Sequence, residues 1–319
     1  MKRILVTGGS GFIGEKLCAA LTSCGHHVAV LTRDRNRRNG ASQFVYGDLS
    51  IRGGLANLNI AEFDVLIHCA GEVKSPVLMR AVHVEGTKQL LELTRRKSLG
   101  GARELHWVQL SSVGAYGPTE LAARDRHVTE VSAENPVGDY ETTKTESDHL
   151  VLDAAGRGDV TCSILRPSNV FGSGMPNQSL LGLISMVKRG LFFYIGRPGA
   201  MANYVHVDDV VTALMKCAFE PQARGETYNL SNDCLLEDLI KCIASILAVP
   251  RPRVRISESL IRPVVRVFEG WLSIPLTQSR IDALVNKTRY PADKIISELG
   301  FMFLKPMPVA IEDLIQKDA

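Results

Sequence analysis

Ile4-Leu5-Val6-Thr7-Gly8-Gly9-Ser10-Gly11-Phe12-Ile13-Gly14 is the stretch that decides the fold. A short apolar strand runs into a glycine-rich turn, and a helical pattern starts at Phe12. Glycine at positions 8 and 11 opens backbone angles closed to other residues. At positions 11 and 14 it removes side chains where a pyrophosphate and a neighbouring strand must come close. The helix that follows offers unpaired N–H groups and a partial positive charge to phosphate oxygens. Gly9, Gly11 and Gly14 satisfy G-x-G-x-x-G, and Gly8, Gly11 and Gly14 satisfy G-x-x-G-x-x-G. Such a pattern is weak alone. Placed between the first strand and a helix, it indicates a dinucleotide-phosphate site.

Working outward, short apolar runs at 28–32, 44–46, 65–69, 106–110 and 162–165 alternate with helical patterns at 14–23, 82–96 and 140–155. Strands this apolar suit a sheet buried on both faces. The alternation predicts an α/β fold, a doubly wound parallel sheet of the Rossmann type. Beyond about residue 170 the pattern loosens, with Pro, Gly and Asn clustered at 167–177. The expected organisation is a dinucleotide-binding part over 1–170, rejoined by about 204–230, and a smaller substrate-binding region over 171–203 and 231–319. Residues 259–272 carry an amphipathic pattern that fits a helix of that region or a helix lying on a membrane surface.

The bulk properties narrow the class. The chain has 319 residues, 45% hydrophobic and 22% charged, ordinary for a globular protein. A net charge of +3 is too small to argue for a nucleic-acid partner. No apolar run reaches the roughly 20 residues of a membrane span. The opening Met1-Lys2-Arg3 enters a strand without an apolar leader. Seven cysteines without a C-x-x-C pair fit buried thiols in a reducing compartment, so the expected location is cytoplasmic. The histidines show no metal-ligand spacing, and no metal site is expected.

The end of the second strand bears on the nucleotide. An acidic residue there would hydrogen-bond the adenosine ribose and repel a 2′-phosphate. Here Thr32 holds the tip, and Arg33 opens a basic run that includes Arg37 and Arg38. A guanidinium fork suits phosphate oxygens, which favours NADP through Arg33; Asp34 keeps NAD open, and a solvated basic loop is the alternative. Asp48 and Leu49 follow the third strand, either beside an adenine ring or as a capped turn.

Tyr140 and Lys144 stand four apart and share a helical face. An ammonium near a phenol stabilises phenolate, and a tyrosine so tuned can exchange a proton with a substrate oxygen while hydride moves at the adjacent carbon. Ser111 and Ser112 lie at the carboxyl end of the fifth strand, where open α/β sheets bind ligands. A hydroxyl there can donate to the same oxygen.

Together these features resemble the extended short-chain dehydrogenase/reductase superfamily, with its nucleotide-sugar epimerases, dehydratases and 4-ketoreductases. The resemblance spans nearly the whole chain. It rests on residues 7–14, Asp48-Leu49, 68–71, 111–117, Tyr140 with Lys144, Leu165-Arg166-Pro167, 204–209 and 228–230. It implies Tyr140 as proton donor or acceptor, Lys144 as its partner and a ribose contact, and Ser112 as the group orienting the substrate. Gly8, Phe12, Ile13, Ala70, Gly71 and Pro167 would then border the cofactor. Asn169 and Lys74 would meet the substrate, or are plain loop residues. A homodimer through the helices at 82–96 and 140–155 is implied as well.

The chain departs from its relatives in informative places. Val113-Gly114 follow Ser112 where dehydratases carry an acid and a base, which argues against removal of water. Ala202 stands where UDP-sugar epimerases have an arginine for the diphosphate; Arg197 is a nearby substitute or a surface turn residue. His83 replaces the usual asparagine. The expectation is an NAD(P)-dependent reductase acting on the 4-keto group of a nucleotide-linked keto-sugar. Alternatives are a 4-epimerase, a 3β-hydroxysteroid or dihydroflavonol-type dehydrogenase, whose carboxyl-terminal pattern resembles 280–301, and a non-catalytic NADP-binding regulator.

Overall fold

The computed structural model describes residues 1–34, 41–99, 104–118, 125–175, 178–268 and 276–318. A seven-stranded sheet forms its centre: β1 Arg3–Thr7, β2 His27–Thr32, β3 Gln43–Tyr46, β4 Val65–His68, β5 His106–Leu110, β6 Thr161–Pro167 and β7 Thr227–Leu230. Every pairing is parallel, in the order β7-β6-β5-β4-β1-β2-β3. The order reverses at β1, so a crevice opens beyond the carboxyl ends of β1 and β4, the place where such sheets bind ligands.

Helices cover both faces: α1 Phe12–Ser23, α2 Gly86–Leu99, α3 Asp139–Gly156 and α4 Val207–Phe219. Successive strand residues point to opposite faces. Ile4, Val6, Val28, Val30 and Ile67 pack with Leu17 and Leu21 of α1 and Val210 and Leu214 of α4. Leu5, Ala29, Leu31, Leu66 and Trp107 pack with Leu90 of α2 and Val151 and Ala154 of α3. Burial on both faces is why the strands read as continuous apolar runs. A further core cluster joins Phe171, Leu180 and Ile184 to Leu239, Ile240 and Ile243 and to Ile311 and Leu314.

Two elements differ in detail from the sequence expectation. Of the segment expected to rejoin the sheet, only β7 does so, in register with β6 (Thr227 opposite Ile164). Tyr204–His206 pairs instead with Asn169–Phe171, outside the main sheet, because β7 already holds the edge beside β6. The helix expected from residue 82 begins as a π-helical turn, Arg80–Glu85, which leads into α2. Residues 258–268 form a helix whose Ile261 and Val265 pack with Ile195, Ile281 and Val285, as expected of a helix within the molecule. Residues 269–272 lie outside the described residues. No described helix is long and apolar enough to cross a membrane.

One buried charge cluster ties α3 to β6. Arg166, 3% exposed, bridges Asp148 at 3.2 Å and Glu134 at 2.5 Å, and Asp148 is fully buried. Ser111 Oγ donates to Asp148 at 2.6 Å. Burial pushes the Asp148 carboxyl up, against the pull of Arg166 and Ser111. Removing one partner would strand a charge in the interior. Arg166→Met is therefore expected to lower the unfolding free energy by about 3–5 kcal/mol in urea titrations. Adding Asp148→Leu to that variant should recover part of the loss; a double variant less stable than Arg166→Met would contradict this account.

Candidate active site

The floor of the crevice is built from glycines that tolerate no side chain. Gly8 adopts φ +67°, and a Cβ there would sit 2.7 Å from the Ala70 nitrogen. A Cβ on Gly14 would fall 2.1 Å from the Gly8 carbonyl oxygen. These approaches bring β1, the loop after β4 and the start of α1 together. Gly11 N–H donates to the Gly8 carbonyl at 2.9 Å, closing the turn. Gly11 is also the N-cap of α1, and no side chain caps the helix there. The first-turn N–H groups thus remain for a ligand with anionic oxygens. Gly8, Gly11, Phe12, Ile13 and Gly14 share this cavity with Ala70, Gly71 and Pro167; its volume is about 1160 Å³. That is at the large end of the ~300–1,000 Å³ usual for a small-molecule pocket, roomy enough for a dinucleotide. The residues present suit a pyrophosphate-bearing nucleotide.

Ser112, Tyr140 and Lys144 line the same cavity. Ser112 caps a 3-10 turn, Val113–Tyr116, and its Oγ accepts from Gly114 N–H at 3.1 Å. That bond engages one acceptor lone pair of the hydroxyl and leaves its proton to donate. Neighbouring Ser111 is committed to Asp148 in the interior. The two adjacent serines are thereby told apart: Ser112 faces the cleft and Ser111 the core. Tyr140 lies in the first turn of α3, and burial, reinforced by Glu141 and Asp148, pushes its phenol up to about 12. Lys144 Nζ donates to the Leu110 carbonyl at 2.5 Å, at the end of β5. Burial lowers the Lys144 pKa, while Asp148 and Cys69 pull the other way.

Two buried histidines, unassigned from sequence, organise the walls. His83 Nε2 accepts from Glu72 N–H at 2.9 Å, so Nδ1 carries the proton and donates to Thr143 Oγ1 at 2.8 Å. Thr143 in turn donates to the Asp139 carbonyl at 2.6 Å. The His83 ring meets Tyr140 edge to face, with centroids 5.6 Å apart. The π-helical turn, an irregularity often found near functional sites, is what carries His83. His68 bridges Thr7 Oγ1 (2.6 Å) and Thr87 Oγ1 (3.1 Å), and Ala70 N–H donates to Thr7 Oγ1 at 3.2 Å. The loop over the cofactor cradle is thereby fixed to β1. The only sequence signal for His83 was its replacement of asparagine; His68 read as a strand residue.

Other expected residues fall outside this cavity. Asp48 Oδ1 accepts from Ser50 N–H at 2.8 Å and Ser50 Oγ at 2.7 Å, capping its own turn. Leu49 is buried in the core beside Leu31 and Leu55. Arg33 is exposed directly after β2, and Arg37 and Arg38 lie outside the described residues. Lys74 and Arg197 are exposed and line no part of the cleft, whereas Asn169 does. Ala202 is buried.

Residues 4–231 match the model of the NAD dependent epimerase/dehydratase family. The chain belongs to that family. It is 33% identical to sterol demethylase protein B of Methylococcus capsulatus over 82% of this chain and 79% of that protein. It is 28% identical to UDP-glucose 4-epimerase of Mycolicibacterium smegmatis, over 78% of this chain and 83% of that one. Among solved structures it resembles a UDP-glucose 4-epimerase of Thermotoga maritima, with a TM-score of 0.74 at 19% identity, covering 98% and 97% of the two chains. That last likeness concerns the fold alone.

The buried histidine gives a pH test. Burial, helped by Lys144, holds His83 down at about 3. The unfolded chain takes up its proton near the ordinary value of 6.5, so the stability contributed by neutral His83 is present above 6.5 and is lost as pH falls toward 3. His83→Asn removes that group. Its melting temperature should fall less than that of the parent between about pH 7 and pH 4. Equal falls would contradict the buried neutral assignment.

Proposed function

We propose that the protein is an NAD(P)-dependent oxidoreductase that reduces a ketone to a secondary alcohol. One observation carries the reading: Ser112, Tyr140 and Lys144 border the same cleft as the Gly8–Gly14 cradle and the uncapped start of α1. The nicotinamide, when bound, supplies the hydride. Tyr140, with its phenol raised to about 12, is protonated at neutral pH and donates to the oxygen that gains charge as the carbonyl carbon accepts hydride. Ser112 orients that oxygen through its remaining proton. Lys144 lies on the same helical face as Tyr140, but the expected lowering of the phenol pKa by its ammonium is not met: burial, Glu141 and Asp148 raise it, and the ammonium is engaged by the Leu110 carbonyl. Val113 and Gly114 have no proton to give or take, which supports hydride transfer without loss of water.

NADP is the cofactor favoured. Thr32 Oγ1 accepts from Asp34 N–H at 3.1 Å, so a capped hydroxyl fills the strand tip where NAD sites carry a carboxylate. Exposed Arg33 follows it, suited to a 2′-phosphate. The assembly proposed is a homodimer through α2 and α3; Leu152 of α3, and Val77 in the short helix Pro76–Met79 that precedes the π-helical turn, are exposed apolar groups on this side. Reduction of the 4-keto group of a nucleotide-linked sugar, 4-epimerisation and steroid-type dehydrogenation all use the same side chains at the reacting carbon. They part company in the outer cleft.

Tyr140→Phe should lower ketone-dependent NADPH oxidation by about 10²–10⁴-fold while NADPH affinity, followed by nicotinamide fluorescence, is kept. Unchanged turnover would refute the role. Arg33→Ala should weaken NADPH far more than NADH in the same titration; an unaltered ratio would remove the phosphate contact.

A further inference from the structure

We propose that Glu141 is a specificity-determining residue: its carboxylate accepts a hydrogen bond from a hydroxyl on the carbon beside the reacting carbonyl, so that the substrate is an α-hydroxyketone. The proposal deepens the oxidoreductase reading and rests on it. Glu141 follows Tyr140 in the first turn of α3 and lines the same cleft, half-buried. Its side chain lies across two glycines. A Cβ on Gly114 would sit 2.7 Å from Glu141 Cγ and 3.3 Å from Ser112 Oγ. One on Gly138, at φ +96°, would sit 2.8 Å from Glu141 Oε2. Glu141 and Ser112 therefore flank one glycine, at the end of the cleft where the carbonyl oxygen is received. The negative charge of Glu141 also helps to raise the Tyr140 phenol, which puts the two groups within electrostatic reach of each other.

The Glu141 carboxylate is unclaimed. Among the described residues it has no hydrogen bond and no ion pair. Lys144, one turn on, donates to the Leu110 carbonyl instead, and Thr145 Oγ1 donates to the Glu141 backbone carbonyl at 2.8 Å. A place in the first helical turn favours the negative charge but occupies neither oxygen. The other carboxylates of the cleft have tasks of their own. Asp282 pairs with Arg262 at 2.9 Å, and Glu15 lies in α1 beside the cofactor cradle. A half-buried carboxylate has given up part of its hydration, and a donor on the ligand restores it. Ser112 and Tyr140 both donate towards the carbonyl oxygen, so the acceptor beside them matches a donor one carbon away. Charge narrows that donor. An ammonium would meet the buried Lys144 cation, and the carboxylate of an α-keto acid would be repelled by Glu141. A neutral hydroxyl meets neither penalty.

Two probes of equal size test this: 2-hydroxycyclohexanone and 2-methylcyclohexanone, which differ by a hydroxyl in place of a methyl group. Each is titrated calorimetrically into the NADP-saturated Tyr140→Phe protein, which holds a ketone without turning it over. The hydroxyketone should bind about tenfold more tightly, the size of one hydrogen bond to a charged acceptor. Adding Glu141→Gln keeps the shape and replaces the charged acceptor with a neutral one. The preference should then shrink by at least about threefold, at an unchanged melting temperature. Equal binding of the two probes, binding of neither, or a preference that survives Glu141→Gln overturns the proposal. NADPH oxidation by the unaltered protein separates it from the reading beneath it. A hydroxyketone that binds with the Glu141-dependent preference but draws no hydride would sink the oxidoreductase reading alone. Oxidation of NADPH by both ketones with equal kcat/KM would sink the role of Glu141 alone.

Discussion

The site hangs from a buried polar face of α3. Thr143, Lys144, Ser147 and Asp148 lie on adjacent turns, and each is buried and bound to a different part of the molecule. Thr143 accepts a hydrogen bond from His83, Lys144 donates to the Leu110 carbonyl, and Asp148 binds Arg166 and Ser111. Ser147 accepts from Gln109 at 3.0 Å and meets Thr87 at 2.9 Å. Buried polar groups are costly unless matched, so these partners hold the helix in one position, although Asp148 Oδ1 is buried without a hydrogen-bond partner among the described residues. Tyr140, one turn before Lys144, is located by that constraint. Glycine packing at the other end of the crevice locates the phosphates, and the sheet holds the two at a fixed separation.

The electrostatic consequence is a dry inner end with a protonated phenol. Lys144 is the cation nearest the chemistry, yet its ammonium is engaged by a carbonyl and its charge is opposed by burial. Burial, together with Glu141 and Asp148, keeps Tyr140 protonated. A phenol held as the acid suits donation to a developing alkoxide.

Much of this was legible in the sequence, for physical reasons. Strands buried on both faces must be continuously apolar, so the central strands and their parallel pairing could be read from runs such as 28–32 and 106–110. The glycine cradle was legible because no other residue fits its contacts. Serine and tyrosine near a strand end and a helix start could be placed in the cleft by topology. The buried polar face of α3 could not. A helix bearing Thr143, Lys144, Ser147 and Asp148 reads as a solvent-facing surface, and only tertiary partners from β5, β6 and the π-helical turn make it interior. Asp48 and Leu49 show the reverse: a motif suggested ligand contacts, but the local turn engages the aspartate and the core takes the leucine. Short pairings such as that of Tyr204–His206 depend on which strand occupies the sheet edge, which is a long-range fact.

The central claim is that hydride passes between a nicotinamide and a carbonyl carbon held at Ser112 and Tyr140. Its most direct test is isotopic: NADPH carrying deuterium in the transferable position at C4, incubated with the protein and a ketone that supports NADPH oxidation, followed by mass spectrometry of the product. The account predicts an alcohol bearing one deuterium on the new carbinol carbon. An alcohol without the label, or cofactor consumed with no alcohol formed, would contradict it.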